Sequence, residues 1–264
     1  ESRLIRLSYF EHADYVPLLQ RSYALWDQLD PTLLQRSGVA YFGPSGSQII
    51  EGVLGSARQH QLAVEVLPEN TMPQFIPPDS FTTLYEADAG WLPVERCVLA
   101  HLDQAVAAGA EHRWGESVID WQATDSGVSV TTDRGRYGAD ALVVAGGAWS
   151  SRLLQTLDLP LTVHRKHMHW FACDDPRYQS GFFFDLPHGQ FYGFPAMDGR
   201  LKVAEHSGGE VVSDPLTASR AEDALDSQRI ESFVREHLPG VGGERLEHQT
   251  CFYTRTADEH FIVD

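Results

Sequence analysis

A mixed α/β fold is what the sequence predicts, on three observations. Segments of helical period recur along the chain, short strands lie between them, and two blocks of strands occupy the second half. "HADYVPLLQRSYALWDQLD" places Tyr15, Leu18, Leu19, Leu25, Trp26 and Leu29 near helical spacing, with Pro17 tolerated in a first turn, and predicts one amphipathic helix. "RSGVAYFGP" reads as a strand closed by a Gly-Pro turn, "SQIIEGVLGSARQHQL" as a second helix and "AVEVL" as a strand. "PVERCVLAHLDQAVAAGAE" is a further helix, with Gly109 in the C-terminal capping position. From Ser117, "SVIDWQAT", "GVSVTTD" and "GRYGADALVVAGG" are strands separated by Asp-Ser-Gly and Asp-Arg-Gly turns, a meander feeding one buried strand at Ala141 to Ala145. Residues 160–206 form the second strand block, "LTVHRKHMHWFA", "GFFFDLP", "GQFYGFPA" and "GRLKVAEH". "ALDSQRIESFVREHLPG" is a late helix and "HQTCFYT" returns to extended structure, with no repeat or low-complexity tract anywhere.

Composition narrows the function classes. A chain of 264 residues with 42% hydrophobic and 22% charged content buries a substantial core and folds as one or two globular domains. Its formal net charge of -17, with no local basic stripe, repels phosphate backbones and argues against nucleic acid, leaving small molecules or proteins as partners. No apolar run has the length of a membrane span, since "ALVVAGGAW" is broken by glycines, and the N-terminus does not resemble a signal peptide. Cys97, Cys173 and Cys251 are scattered with no Cys-x-x-Cys pair, which gives neither a disulfide framework nor a zinc site and favours a reducing cytosol.

Residues with chemical potential are few. Strand alternation in "GRLKVAEH" puts Lys202, Ala204 and His206 on one face and Leu201, Val203 and Glu205 on the other. By pattern alone the first face is an ordinary solvated one; facing a pocket, the ammonium would hold charge developing on a substrate or on dioxygen. Arg3 and Arg6 in "ESRLIRL" are neighbours if that segment is helical or turn-like, and paired guanidinium groups capture carboxylates, although surface arginines are far commoner. His167 and His169 share a strand face with no carboxylate near in sequence, a poor metal set. Tyr192 before Gly193-Phe194-Pro195 is either an aromatic pocket wall or core packing. In "DALVVAGGAWSSRLL" a strand, Gly146-Gly147 and a helix give a geometry that brings backbone close to a dinucleotide, or simply packs tightly. Cys251 is by default a small buried hydrophobe. Neither a Gly-x-Ser-x-Gly elbow, a Gly-x-x-x-x-Gly-Lys loop nor a His-Glu-x-x-His helix occurs.

In order along the chain, "SRLIRLSY", "YVPLLQRSYALWDQL", "SGVAYFGP", "VVAGGAWSSRLL", "FYGFP", "LKVAEH" and "CFYTRTADEHFIVD" resemble the monomeric sarcosine oxidase and N-methyltryptophan oxidase family of FAD-dependent amine oxidases. The resemblance implies an FAD-binding Rossmann-like domain joined to a substrate domain built on a largely antiparallel sheet. Residues 1–30, 85–155 and 251–264 would belong to the first, and 31–84 and 156–250 to the second. It also implies oxidation of a secondary amino acid, in which hydride passes from the N-methyl or ring carbon to the flavin, the imine hydrolyses, and dioxygen is reduced to hydrogen peroxide. By the same match Cys251 would be joined covalently to FAD, Lys202 would activate dioxygen, and Arg6 would grip the substrate carboxylate. His206, Tyr192 and Tyr253 would shape the amine pocket, while Arg3, Gly146, Gly147 and Trp149 would lie on the cofactor side.

Two departures accompany the resemblance. Members of that family begin with a strand, a Gly-x-Gly-x-x-Gly turn and a helix, and nothing of the kind precedes Glu1; they also continue beyond the segment that ends here at Asp264. The expectation is therefore a chain incomplete at both ends, whose isolated product risks aggregation and poor FAD binding. Two alternatives stay open: a flavin dehydrogenase that uses another electron acceptor, and a non-catalytic binding module of the same fold.

Overall fold

The computed structural model describes residues 1–157 and 159–263. Its elements run in the order β1 (Ser2–Ile5), α1 (Val16–Leu29), β2 (Gln35–Arg36), β3 (Val39–Pro44), α2 (Gln48–His60), β4 (Val64–Leu67), β5 (Phe81–Glu86), β6 (Gly90–Pro93) and α3 (Val94–Ala107). There follow β7 (Val118–Thr124), β8 (Gly127–Thr132), β9 (Arg136–Ala139), α4 (Ser150–Leu153), β10 (Thr162–Ala172), β11 (Gly181–Leu186), β12 (Gly189–Gly193), β13 (Arg200–Glu205), β14 (Glu210–Val212), α5 (Ala224–His237) and β15 (Arg245–Arg255).

Local chemistry sets the helix ends. The Ser47 hydroxyl accepts the Ile50 amide at 3.3 Å to open α2, and Gln61 in the left-handed region closes it. Asp223 caps α5 by accepting the Leu225 and Asp226 amides at 2.9 Å each. Pro17 sits in the first turn of α1, where a missing N–H costs nothing. That helix buries Val16 and Tyr23, whereas Leu18 and Leu25 of the expected apolar stripe are exposed.

The contacts divide the chain into two compact units. Glu1–Gln104, His167–Gly208 and Ala221–Thr250 make the larger one. Within it β13, β12, β11, β3, β5 and β4 lie side by side, β10 pairs antiparallel with β13, and the β11–β3 pair is parallel. A small sheet, β1-β6-β2, stands in the same unit. One face of the large sheet is covered by α5, where Phe191 stacks on Phe233 at 4.5 Å and Phe42 on Phe184 at 4.4 Å. Such aromatic pairs contribute about 0.5–1.5 kcal/mol each beyond area burial. On this sheet Gly193 is required by close approach: a Cβ there would strike the Phe182 ring and lie 2.7 Å from the Lys202 carbonyl.

The smaller unit comprises Ala105–Lys166, Gly209–Arg220 and Cys251–Asp264, and contains the β7-β8-β9 meander and the pairing of β14 with the start of β10. Here one expectation is corrected. Ala141 to Ala145 is not a strand and not buried: Val143 is 88% exposed, and no described strand pairs with this run. A buried strand exists only where its N–H and C=O groups find a neighbour on a sheet. The meander instead supports α4, through the Trp121 indole N–H donated to the Leu153 carbonyl at 2.7 Å. Among the described residues no helix is long and apolar enough to cross a membrane. The expectation attached to Asp264 lies outside the described residues.

Candidate active site

Lys202 is the centre from which the site in the larger unit is built. Strand β13 is buried along both faces from Leu201 to Glu205, so its polar face is not a solvated one, and Lys202 itself is only 2% exposed. The ammonium donates to the Ser2 carbonyl of β1 at 3.1 Å and stands over the rings of Phe194 at 4.6 Å and Trp170 at 5.3 Å. Ser2, Trp91, Glu95, Trp170 and Arg200 line a cavity of about 400 Å3 together with it.

Register carries the same face along the sheet. Tyr192 opposes Ala204, Phe183 opposes Tyr192, and Tyr41 opposes Phe183, so Lys202, His206, Tyr192 and Phe183 share a side. His206 packs edge-on against Phe183 at 5.7 Å and Tyr192 at 6.3 Å. Phe10 meets Phe183 at 5.6 Å, and the Arg6 guanidinium lies over Phe10 at 4.5 Å and Tyr9 at 4.1 Å. Arg6, His206 and Tyr192 are thus joined by one aromatic wall.

The two arginines part company. Because Ser2–Ile5 is a strand, the spacing of three that would align them on a helix does not do so here. Arg3 is half-exposed and bonds Glu1 at 3.0 Å, whereas Arg6 is 12% exposed and pairs with Glu11 at 2.8 and 3.1 Å. Burial opposes the Arg6 charge, but Glu11, Tyr41 and Tyr9 outweigh it and hold the guanidinium above its ordinary range. Its buried Nη1 has no hydrogen-bond partner. A buried guanidinium with one edge bonded and one N–H group open is a receptor for an anion.

Glu86 fixes that segment and was not singled out by sequence. It is 1% exposed and accepts the Leu7 amide at 2.6 Å, the Ser8 amide at 3.2 Å, the Ser8 hydroxyl, and the Tyr41 hydroxyl at 3.3 Å. Burial and then the Glu86 charge push the Tyr41 hydroxyl well above its ordinary value. The carboxylate of β5 therefore holds in place the backbone that follows Arg6.

His167 and His169 of β10 face the opposite side. His167 Nδ1 lies 2.8 Å from His248 Nε2, and fully buried His169 bonds Asp226 at 2.7 Å through Nε2. Among the described residues no group of three or more His, Cys, Asp or Glu is arranged to hold a metal ion. Burial, followed by His169 and His167, holds the His248 imidazolium below its ordinary range, with Glu222 favouring the charge and Arg245 opposing it. Unfolding releases that ring to bind a proton at its ordinary value near 6.5, so stability is expected to fall as pH drops through that value. His248→Gln should flatten the pH dependence of the urea midpoint between about pH 7 and 5. An unchanged slope would show that other groups set it.

In the smaller unit, Cys251 is half-buried on β15, and Tyr253, two residues on and on the same strand face, lies 5.6 Å from the Lys166 ammonium. Phe252, on the other face, meets Trp149 edge-on at 6.4 Å. Gly147 follows Gly146 in the left-handed region at φ 53°, with open space where a Cβ would stand. Exposed Leu142 and Val143 precede this turn. An approachable backbone beside uncovered apolar surface suits a cofactor with a polar chain and a flat ring.

Known proteins resemble this chain over its whole length. A monomeric sarcosine oxidase from Bacillus sp. (strain B-0618) is 34% identical over 283 aligned residues, which cover the whole of this chain and 72% of the relative. An N-methyl-L-tryptophan oxidase from Salmonella dublin is 35% identical over 279, covering the whole chain and 74% of the relative. The solved structure of NikD, an unusual amino acid oxidase essential for nikkomycin biosynthesis, matches with a TM-score of 0.88 at 26% identity, over 98% of this chain and 72% of that one. A family model described as FAD dependent oxidoreductase (DAO) matches residues 2–264, and the chain belongs to that family of FAD-dependent oxidoreductases.

Proposed function

We propose that the protein oxidises a secondary amino acid, N-methylated as in sarcosine or N-methyltryptophan, or cyclic, and that dioxygen is the electron acceptor. The observation that carries this reading is the buried Arg6 guanidinium, whose open Nη1 shares an aromatic wall with His206 and Tyr192. The two relatives named for N-methyl amino acids add support. When bound, FAD supplies the two-electron chemistry, removing a hydride equivalent from the carbon beside nitrogen and passing both electrons on. Water then adds to the imine and releases amine and aldehyde, while two electrons and two protons convert dioxygen to hydrogen peroxide.

The protein's own groups do the rest. Arg6 binds the substrate carboxylate, in competition with Glu11 for the same guanidinium. His206 and Tyr192 shape the amine pocket and keep water from it, and Tyr253 of the smaller unit is proposed separately as a substrate-binding residue. Lys202 presents a fixed positive charge where electrons reach dioxygen. Gly146, Gly147, Trp149 and Arg3 are proposed for the cofactor side. In the same reading, 1–30, 85–155 and 251–264 serve FAD and 31–84 and 156–250 serve the substrate.

Substitution tests the carboxylate assignment. Arg6→Gln is expected to raise KM for sarcosine about 30-fold or more, the scale of truncating one partner of a buried charge pair, with a smaller change in kcat. Glu11→Gln, which removes the competing carboxylate, should lower KM. An Arg6→Gln enzyme with unchanged KM would remove Arg6 from substrate binding.

Cys251 is proposed as the point of covalent attachment. Attachment would cost the thiol proton, one hydrogen of the flavin and two electrons, which dioxygen would take up. Denatured parent enzyme should then keep its flavin, with an intact mass greater by one FAD, and Cys251→Ala should release all of it. A parent protein whose yellow colour washes out in denaturant would rule out the bond.

A further inference from the structure

Two lysines, Lys166 and Lys202, occur in the 264 residues, and both are buried with an aromatic face near the ammonium. Ammonium groups are strongly hydrated and rarely leave water. Around Lys202 the Ser2 carbonyl accepts its proton at 3.1 Å, the Phe194 ring lies 4.6 Å away and the Trp170 ring 5.3 Å, and the Glu95 carboxylate on the same cavity wall feels its charge. Trp170 is placed there by sheet register, as the residue of β10 directly opposite Lys202 on β13. It also forms part of the wall of the cavity that Lys202 lines. An aromatic face placed against an ammonium favours its charged form.

We propose that Trp170 and Phe194 are positioning residues for the oxidative half of the reaction: their ring faces keep the Lys202 ammonium charged and directed into the cavity where dioxygen is reduced. The inference rests on the assignment of Lys202 made under Proposed function.

The test uses 15N-lysine-labelled holoenzyme and four variants, Lys202→Met, Trp170→Leu, Trp170→Phe and the Lys202→Met/Trp170→Leu pair. Lys202→Met assigns the Lys202 ammonium signal by its loss from the NMR spectrum. Trp170→Leu should move that signal and speed its hydrogen exchange with water, whereas Trp170→Phe, which keeps a ring face, should preserve most of the shift. In stopped flow, Trp170→Leu should leave anaerobic reduction by sarcosine within about twofold and slow reoxidation about tenfold, the scale of one desolvated cation–π contact. In the Lys202→Met background the same change should slow reoxidation no further, because the two act as a unit.

Reoxidation of Trp170→Leu at the parental rate, or an equal slowing in both backgrounds, would overturn the proposal. Parental reoxidation in Lys202→Met would instead overturn the underlying assignment of Lys202. Should Trp170→Leu fail to fold, Phe194→Leu makes the same measurement on the other ring.

Discussion

Exchange of Lys202 for methionine is expected to slow the reaction of the reduced enzyme with dioxygen by about 10²–10³-fold, the usual loss when one preorganised electrostatic group is removed from a reacting centre. Methionine is close to lysine in length and flexibility, so the volume between Trp170, Phe194 and the Ser2 carbonyl stays filled and only the charge is lost. Reduction by the amino acid is proposed to depend on the carboxylate grip of Arg6 and the amine pocket of His206 and Tyr192, and should change by no more than about twofold. The expected signature is a split between half-reactions. A proportional loss in both would indicate that Lys202 supports the structure instead of the chemistry.

Glu86→Ala is expected to be the most damaging change outside the site itself. Its carboxylate accepts from the Leu7 and Ser8 amides and from the hydroxyls of Ser8 and Tyr41, and Glu86, Ser8 and Tyr41 are buried. Each buried donor left without an acceptor costs about 1–3 kcal/mol, so a loss of about 3 kcal/mol or more in unfolding free energy follows even with partial relaxation. The same change frees the backbone that follows Arg6, and KM for the amino acid should rise in whatever fraction remains folded. A urea midpoint within experimental error of the parent would show that these donors find other partners.

The periodic parts of the fold were legible in the sequence, because helices α2 and α5 and most strands bury one face and show it as spacing, while α1 and α3 keep the helical period but leave Leu18, Leu25, Leu99 and Val106 exposed. Ala141 to Ala145 misled, since an apolar run carries no information on whether a neighbouring strand exists to pair with it. Alternation placed Lys202 and His206 on one face, but it says nothing of what covers that face; β1 and Trp170 do so from residues far away in sequence. For the same reason Trp170 and Glu86 went unnoticed. A tryptophan in a strand and one glutamate among many become functional only through register and burial, which are tertiary facts. The wide separation of Arg3 and Arg6 in environment had a local cause, a strand where their spacing suited a helix.

The central claim is amino-acid oxidation with dioxygen as acceptor, and anaerobic mixing of the yellow holoenzyme with sarcosine or N-methyl-L-tryptophan followed by admission of air tests it most directly. The account predicts that the flavin absorbance bleaches with one of these substrates and returns in air, with hydrogen peroxide formed in equal amount to the amine oxidised. Bleaching that persists in air would contradict dioxygen as the acceptor, and a flavin that no N-methyl or cyclic amino acid bleaches would contradict the assigned chemistry altogether.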